Sequence, residues 1–171
     1  FTKSKTLGNH SIKNLLLTAL LDIKGNFASS LPILEKLLDI TNGKILPLTE
    51  DSVNLVGITE SGKKVVGEEQ VTNSKSKIVK IEYDKDITVN PEVNKAVDNA
   101  DLIIFSSGSL YTSIIPHLIN KDLVKRINES PAKKLYICNL FTQPGETDGF
   151  KVSDHIKIIE DYLDGGKLDI V

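Results

Sequence analysis

The stretch DLIIFSSGSLYTSIIPHL, residues 101–118, decides how this chain is read. Its opening DLIIF is too short for a helix and apolar without alternation, which predicts a strand buried on both faces, as in parallel sheets covered by helices. Ser106, Ser107, Gly108 and Ser109 break that strand, and from Leu110 the apolar residues fall at helical spacing. The order recurs downstream, with helical segments between 110 and 129, the apolar run KLYICNL at 134–140, the loop FTQPGETDGF at 141–150 and a capped helix from Ser153 to Leu163. Strand, loop, helix and strand in that order predict right-handed crossovers and an α/β fold, three-layer α/β/α with a mostly parallel sheet covered by helices.

Upstream, Ile12, Leu15, Leu16, Ala19, Leu20 and Ile23 mark a core-facing helix over 11–23 that stops at Gly25-Asn26. A second helix is predicted with Ser29 or Ser30 as its cap, Pro32 in its first turn and an end near Asn42-Gly43. From Asn54 to Val71 the period shortens towards two around the turn Glu60-Ser61-Gly62, which predicts an inserted β-hairpin. KIVKIEY at 77–83 reads as a further strand, and Asn90-Pro91 opens a short helix. A length of 171 residues, 40% hydrophobic, suits a single domain over 1–171.

Composition excludes several functions. Twenty-one basic against 23 acidic residues leave a net charge of -2, and without a basic stripe nucleic-acid binding has little to work with. Membrane insertion is not expected, because no apolar run approaches the length that spans a bilayer. The single cysteine, Cys138, cannot pair internally and suits a reducing, cytoplasmic setting. His10, His117 and His155 have no second ligand at metal spacing, so no metal site is expected from them. Ser109 lacks the nucleophile elbow of serine hydrolases, and Glu68 and Glu69 read as a solvated strand end. The chain contains no methionine and opens at Phe1, which leads us to expect a fragment.

Two loops carry the polar chemistry. In open parallel sheets ligands bind beyond the carboxyl ends of the strands. There Ser106, Ser107, Gly108 and Ser109 form either an ordinary strand-to-helix turn or a set of N–H donors for an anion such as phosphate. The loop from Asn139 to Asp148 is long and polar, and Asn139, Thr142 and Gln143 either bond a base, sugar or phosphate or satisfy local backbone.

Those residues carry a resemblance. GSLYTSIIP at 108–116, NLFTQPGETDGF at 139–150 and SDH at 153–155 resemble the CofD/YvcK-like family. NHSIKNLLLTAL, GKILPLTE and VVGEEQV, earlier in the chain, resemble further segments of that family in the same order. The resemblance implies a Rossmann-like sheet and an N-terminal glycine-rich strand-loop that is not in this sequence. It implies two activities. CofD-type members transfer a phospholactyl group to the precursor of coenzyme F420, and YvcK-type members bind UDP-sugars such as UDP-N-acetylglucosamine and act in gluconeogenic growth and cell shape. The compact loops and TQPGETDGF are more similar to the YvcK type. The chain departs from the family where Ser106 and Ser107 replace Gly and Pro, and where Lys13 and Asn9 replace glycines.

Loop chemistry and resemblance together lead to a cytoplasmic nucleotide-sugar-binding regulator. In that reading Gly108, Ser109, Leu110 and Tyr111 hold a diphosphate, Asn14 assists, and Asn139, Thr142, Gln143, Gly145, Glu146, Thr147 and Asp148 frame the nucleoside or sugar, with Phe150 stacking on the base. The alternatives are a phospholactyl transferase, which would call for a divalent metal as cofactor, and a scaffold that has lost its pocket. No catalytic residue stands out, and a homo-oligomer is left open.

Overall fold

The computed structural model describes residues 12–171, without the side chain of Lys13, so Asn9 and His10 lie outside the described residues. The chain packs as two compact units, Phe1–Glu50 and Asp51–Val171.

In the first unit, helices α1 (Ile12–Lys24) and α2 (Phe27–Leu37) form a hairpin. Gly25 makes the turn at φ 81, a left-handed conformation that glycine adopts without steric cost. The sequence placed the α2 cap too late. Asn26 is the cap, its side chain accepting the Ser29 N–H at 2.8 Å, and Pro32 lies inside the helix. Ser30 is buried and turns its hydroxyl back to the Asn26 carbonyl at 2.7 Å, so it is not available to cap. The helix ends at Leu37, before the expected Asn42-Gly43, and Asp39 follows at φ 54.

The second unit contains the hairpin β1 (Leu55–Thr59) and β2 (Lys64–Val66), antiparallel as expected. The segment beyond Val66 is helical: α3 (Glu68–Thr72) places Glu68 and Glu69 in its first turn, where acidic side chains complement the helix dipole. They are therefore not a strand end. Strand β3 (Ile78–Tyr83) pairs antiparallel with β1, giving the order β2-β1-β3. The Tyr162 hydroxyl accepts the Ile81 N–H at 2.7 Å and donates to its carbonyl at 3.0 Å, covering the outer edge of β3.

Helix α4 (Pro91–Asp98), capped by Asn90, leads into β4 (Leu102–Phe105). Strand β5 (Lys133–Tyr136) pairs with β4 in parallel, and Leu135 makes a further parallel bridge to Ile170. The α/β class and the parallel pairing thus hold. Two expectations do not. β5 ends at Tyr136, so Ile137 to Leu140 already belong to the loop. And β4 is covered on one face only: Phe105 and Tyr136 are buried, but Leu102 and Ile104 are 43% and 50% exposed. The apolar run does not by itself report burial: among the described residues, alternation leaves Leu102, Ile104 and Ile137 on an open face.

Between β4 and β5 the expected helix begins irregularly. Leu110–Ile114 is a turn of π-helix, with Ile114 N–H donating to the Ser109 carbonyl at 3.1 Å, and Ile115–Leu118 is a tighter 3-10 turn. Pro116 has no N–H to offer the preceding turn and its ring crowds the carbonyl four residues back, so a regular α-helix cannot run through it. Asn120 then caps α5 (Lys121–Glu129), and α6 (Val152–Tyr162) closes the fold. The core of this unit gathers Ile78, Ile81, Leu110, Ile115, Leu118, Tyr136, Ile159 and Leu163, all 2% exposed or less.

Candidate functional site

Parallel pairing puts the carboxyl ends of β4 and β5 side by side. Phe105 lies opposite Tyr136, and the Ile137 N–H continues the ladder to the Phe105 carbonyl at 2.9 Å. The loops at 106–109 and 137–151 therefore leave the sheet at one edge. They are also bonded together: the Asn139 side-chain amide donates to the Gly108 carbonyl at 2.7 Å.

The second loop folds on itself. The Thr147 hydroxyl, 1% exposed, accepts the Gln143 N–H at 2.9 Å, and the Asp148 carboxylate accepts the Gly145 N–H at 2.6 Å. Gly145 stands at φ 80, where a side chain would be strained and would also meet the Ser74 carbonyl oxygen. This fold turns Glu146 inward to 8% exposure, and its Oε1 accepts the Ser109 hydroxyl and the Tyr111 N–H, both at 2.6 Å. Ser109 in turn accepts the Thr112 N–H at 3.0 Å. Because its one hydroxyl proton goes to Glu146, the Thr112 hydroxyl is the donor in the 2.6 Å contact between Thr112 and Ser109.

The sequence-predicted residues thus separate. Gly108, Ser109, Asn139, Gln143, Gly145, Glu146, Thr147 and Asp148 come together at one sheet edge, with Thr142 exposed beside them. The side chains of Leu110 and Tyr111 do not face that edge: they are core, at 0% and 2% exposure. Burial, with smaller contributions from Tyr162 and Glu146, pushes the Tyr111 phenol up to about 12. The Tyr111 amide, expected to help hold a diphosphate, already donates to Glu146, and the Thr112 amide next to it donates to Ser109. Gln143 Oε1 is buried without a hydrogen-bond partner among the protein atoms. Asn14 lies in the first unit, exposed on α1, with the Thr18 hydroxyl on its carbonyl at 2.8 Å. Among the described residues, no three His, Cys, Asp or Glu side chains gather as a metal would require.

Beneath the loops lies a pair that sequence reasoning passed over. The Tyr136 hydroxyl and His155 Nδ1 share a hydrogen bond at 3.0 Å, and the two rings are stacked 6.2 Å apart. Phe150 sets its edge on the same imidazole at 5.6 Å, so the ring expected to stack on a base packs against His155. The ring that stands out is Phe141, 85% exposed next to Leu140 at 94%. An apolar pair in a polar loop was the available signal. His155 gave none, since its partner lies 19 residues away.

Burial lowers the His155 pKa below 6.5, against smaller opposing effects of Asp154 and Glu146. The unfolded chain therefore takes up a proton at a pH where the folded protein refuses it. Stability from this site is complete above pH 6.5 and is lost as the pH falls from there through the folded-state value. Urea unfolding at about pH 7.5 and about pH 5 is expected to show a steeper acid loss for the wild type than for His155→Gln.

Similarity to known proteins agrees with this fold. The family description 2-phospho-L-lactate transferase CofD matches residues 1–171. A Thermotoga maritima relative is 46% identical over 155 residues, covering 91% of this chain and 49% of its own. The protein named gluconeogenesis factor from Bacillus subtilis is 37% identical over 172 residues, covering 100% of this chain and 54% of its own. The crystal structure of protein BH3568 from Bacillus halodurans superposes with a TM-score of 0.88 at 38% identity, covering 99% of this chain and 55% of that one. The chain spans about half the length of the relatives it matches. It belongs to the CofD family, among relatives that carry the name gluconeogenesis factor.

Proposed function

We propose that the protein is a cytosolic, YvcK-type regulator that binds a nucleotide sugar of the UDP-N-acetylglucosamine kind, at the sheet edge where the two loops meet. The observation that carries this reading is the pair of polar loops tied together by Asn139 and Gly108 beyond the ends of adjacent parallel strands. Relatives named gluconeogenesis factor support it. Groups at that edge include the exposed Thr142 hydroxyl and the buried Gln143 Oε1, which has no protein partner, and both suit a sugar or base. The family description favours one second reading, phospholactyl transfer, in which the same edge would hold donor phosphates.

Calorimetry of the complete protein with UDP-N-acetylglucosamine tests both. The expected result is binding without turnover, weakened by up to about tenfold in Thr142→Val, the worth of one neutral hydrogen bond. Phospholactyl transfer to an F420 precursor would select the second reading. Undiminished affinity in Thr142→Val would remove that residue from the site.

A further inference from the structure

We propose that Glu146 is a positioning residue: its buried carboxylate holds the loop at 139–150 against the start of the helical segment, and acts on ligand only through that placement. The ligand part of this inference rests on the function proposed above; the clamp itself does not.

The geometry is that of a clamp. One oxygen takes two short bonds, from the Ser109 hydroxyl and the Tyr111 N–H, bridging 37 and 35 residues of sequence. Tyr111 is 2% exposed and Glu146 8%, so neither partner can trade the bond for water without opening the loop. The neighbouring Thr147 is buried at 1% and holds Gln143, so a shift of Glu146 would carry the whole turn from 143 to 147 with it. Asn139 supplies a second tether at the other end of the same loop.

A carboxylate so engaged is ill suited to touching an anionic ligand, since like charges repel and its accepting oxygen is already in use. What the clamp needs is an acceptor oxygen of the right reach. Glutamine keeps that oxygen and discards the charge.

The test compares wild type, Glu146→Gln and Glu146→Ala in the complete protein. Amide hydrogen exchange at Tyr111 is read without ligand, and affinity for UDP-N-acetylglucosamine by calorimetry. Losing a charge-assisted bond in Glu146→Ala is expected to speed exchange at Tyr111 and to weaken binding, each by at least about tenfold. Glu146→Gln is expected to stay within about threefold of wild type in both. Two results overturn the proposal: Glu146→Gln as impaired in binding as Glu146→Ala, which would mean that the charge itself meets the ligand, or unchanged Tyr111 exchange in Glu146→Ala. Should Glu146→Ala fail to fold, Ser109→Ala removes one of the two donors, and no change in Tyr111 exchange there counts against the clamp. A wild type that binds no nucleotide sugar overturns the function proposed above, and the exchange result then decides the clamp by itself.

Discussion

Leu110→Ala is expected to lower the free energy of unfolding by about 2–5 kcal/mol, the range for truncating a fully buried leucine. Leu110 is 0% exposed and opens the π-helical turn directly behind Ser109. With no exposed surface, its side chain is core, so truncation to alanine leaves a cavity inside the protein. Leu110→Met, which roughly conserves volume, should cost less than about 1.5 kcal/mol. Denaturant unfolding of both variants checks the pair. Equal stability of Leu110→Ala and wild type would mean that this residue faces the ligand edge after all.

Gly57→Val is expected to be the most damaging change in the hairpin sheet, at about 1–3 kcal/mol from overpacking. Gly57 is buried at the centre of β1, between Val65 of β2 and Ile81 of β3. A Cβ there would stand 3.0 Å from Val71 Cγ2 and 3.1 Å from Ile78 Cδ1, so the glycine is what lets α3 lie close on the strand. Valine adds two further methyl groups to a space already too small for one. At roughly 2–4 °C per kcal/mol for a chain of this size, the melting temperature should fall by about 2–12 °C, with Gly57→Ala intermediate. An unchanged melting curve for the valine variant would show that α3 can retreat freely.

Much of the fold was legible because it rests on local signals. Asn90-Pro91 announces a helix through capping chemistry that acts within three residues, and the cap is made as the residues suggest. The turn at Glu60-Ser61-Gly62 joins the two strands that flank it, with Gly62 at φ 80. The apolar run at 102–105 gave its strand and, with 133–136, its parallel pairing. One error arose where local signals compete. Ser29, Ser30 and Asn26 can all cap a helix, and burial of Ser30 against α1 decided for Asn26.

By itself, the sequence determined the α/β class, the two polar loops and the family, since each depends on residue types at fixed spacing along the chain. Only tertiary structure decided what those loops do with their hydrogen-bonding groups. Glu146 and the Tyr111 N–H are 35 residues apart, and nothing local says that one will satisfy the other. The same holds for Asn139 with Gly108 and for Tyr136 with His155. A buried polar group must find a partner, but which partner it finds is set by the packing that brings distant strands together.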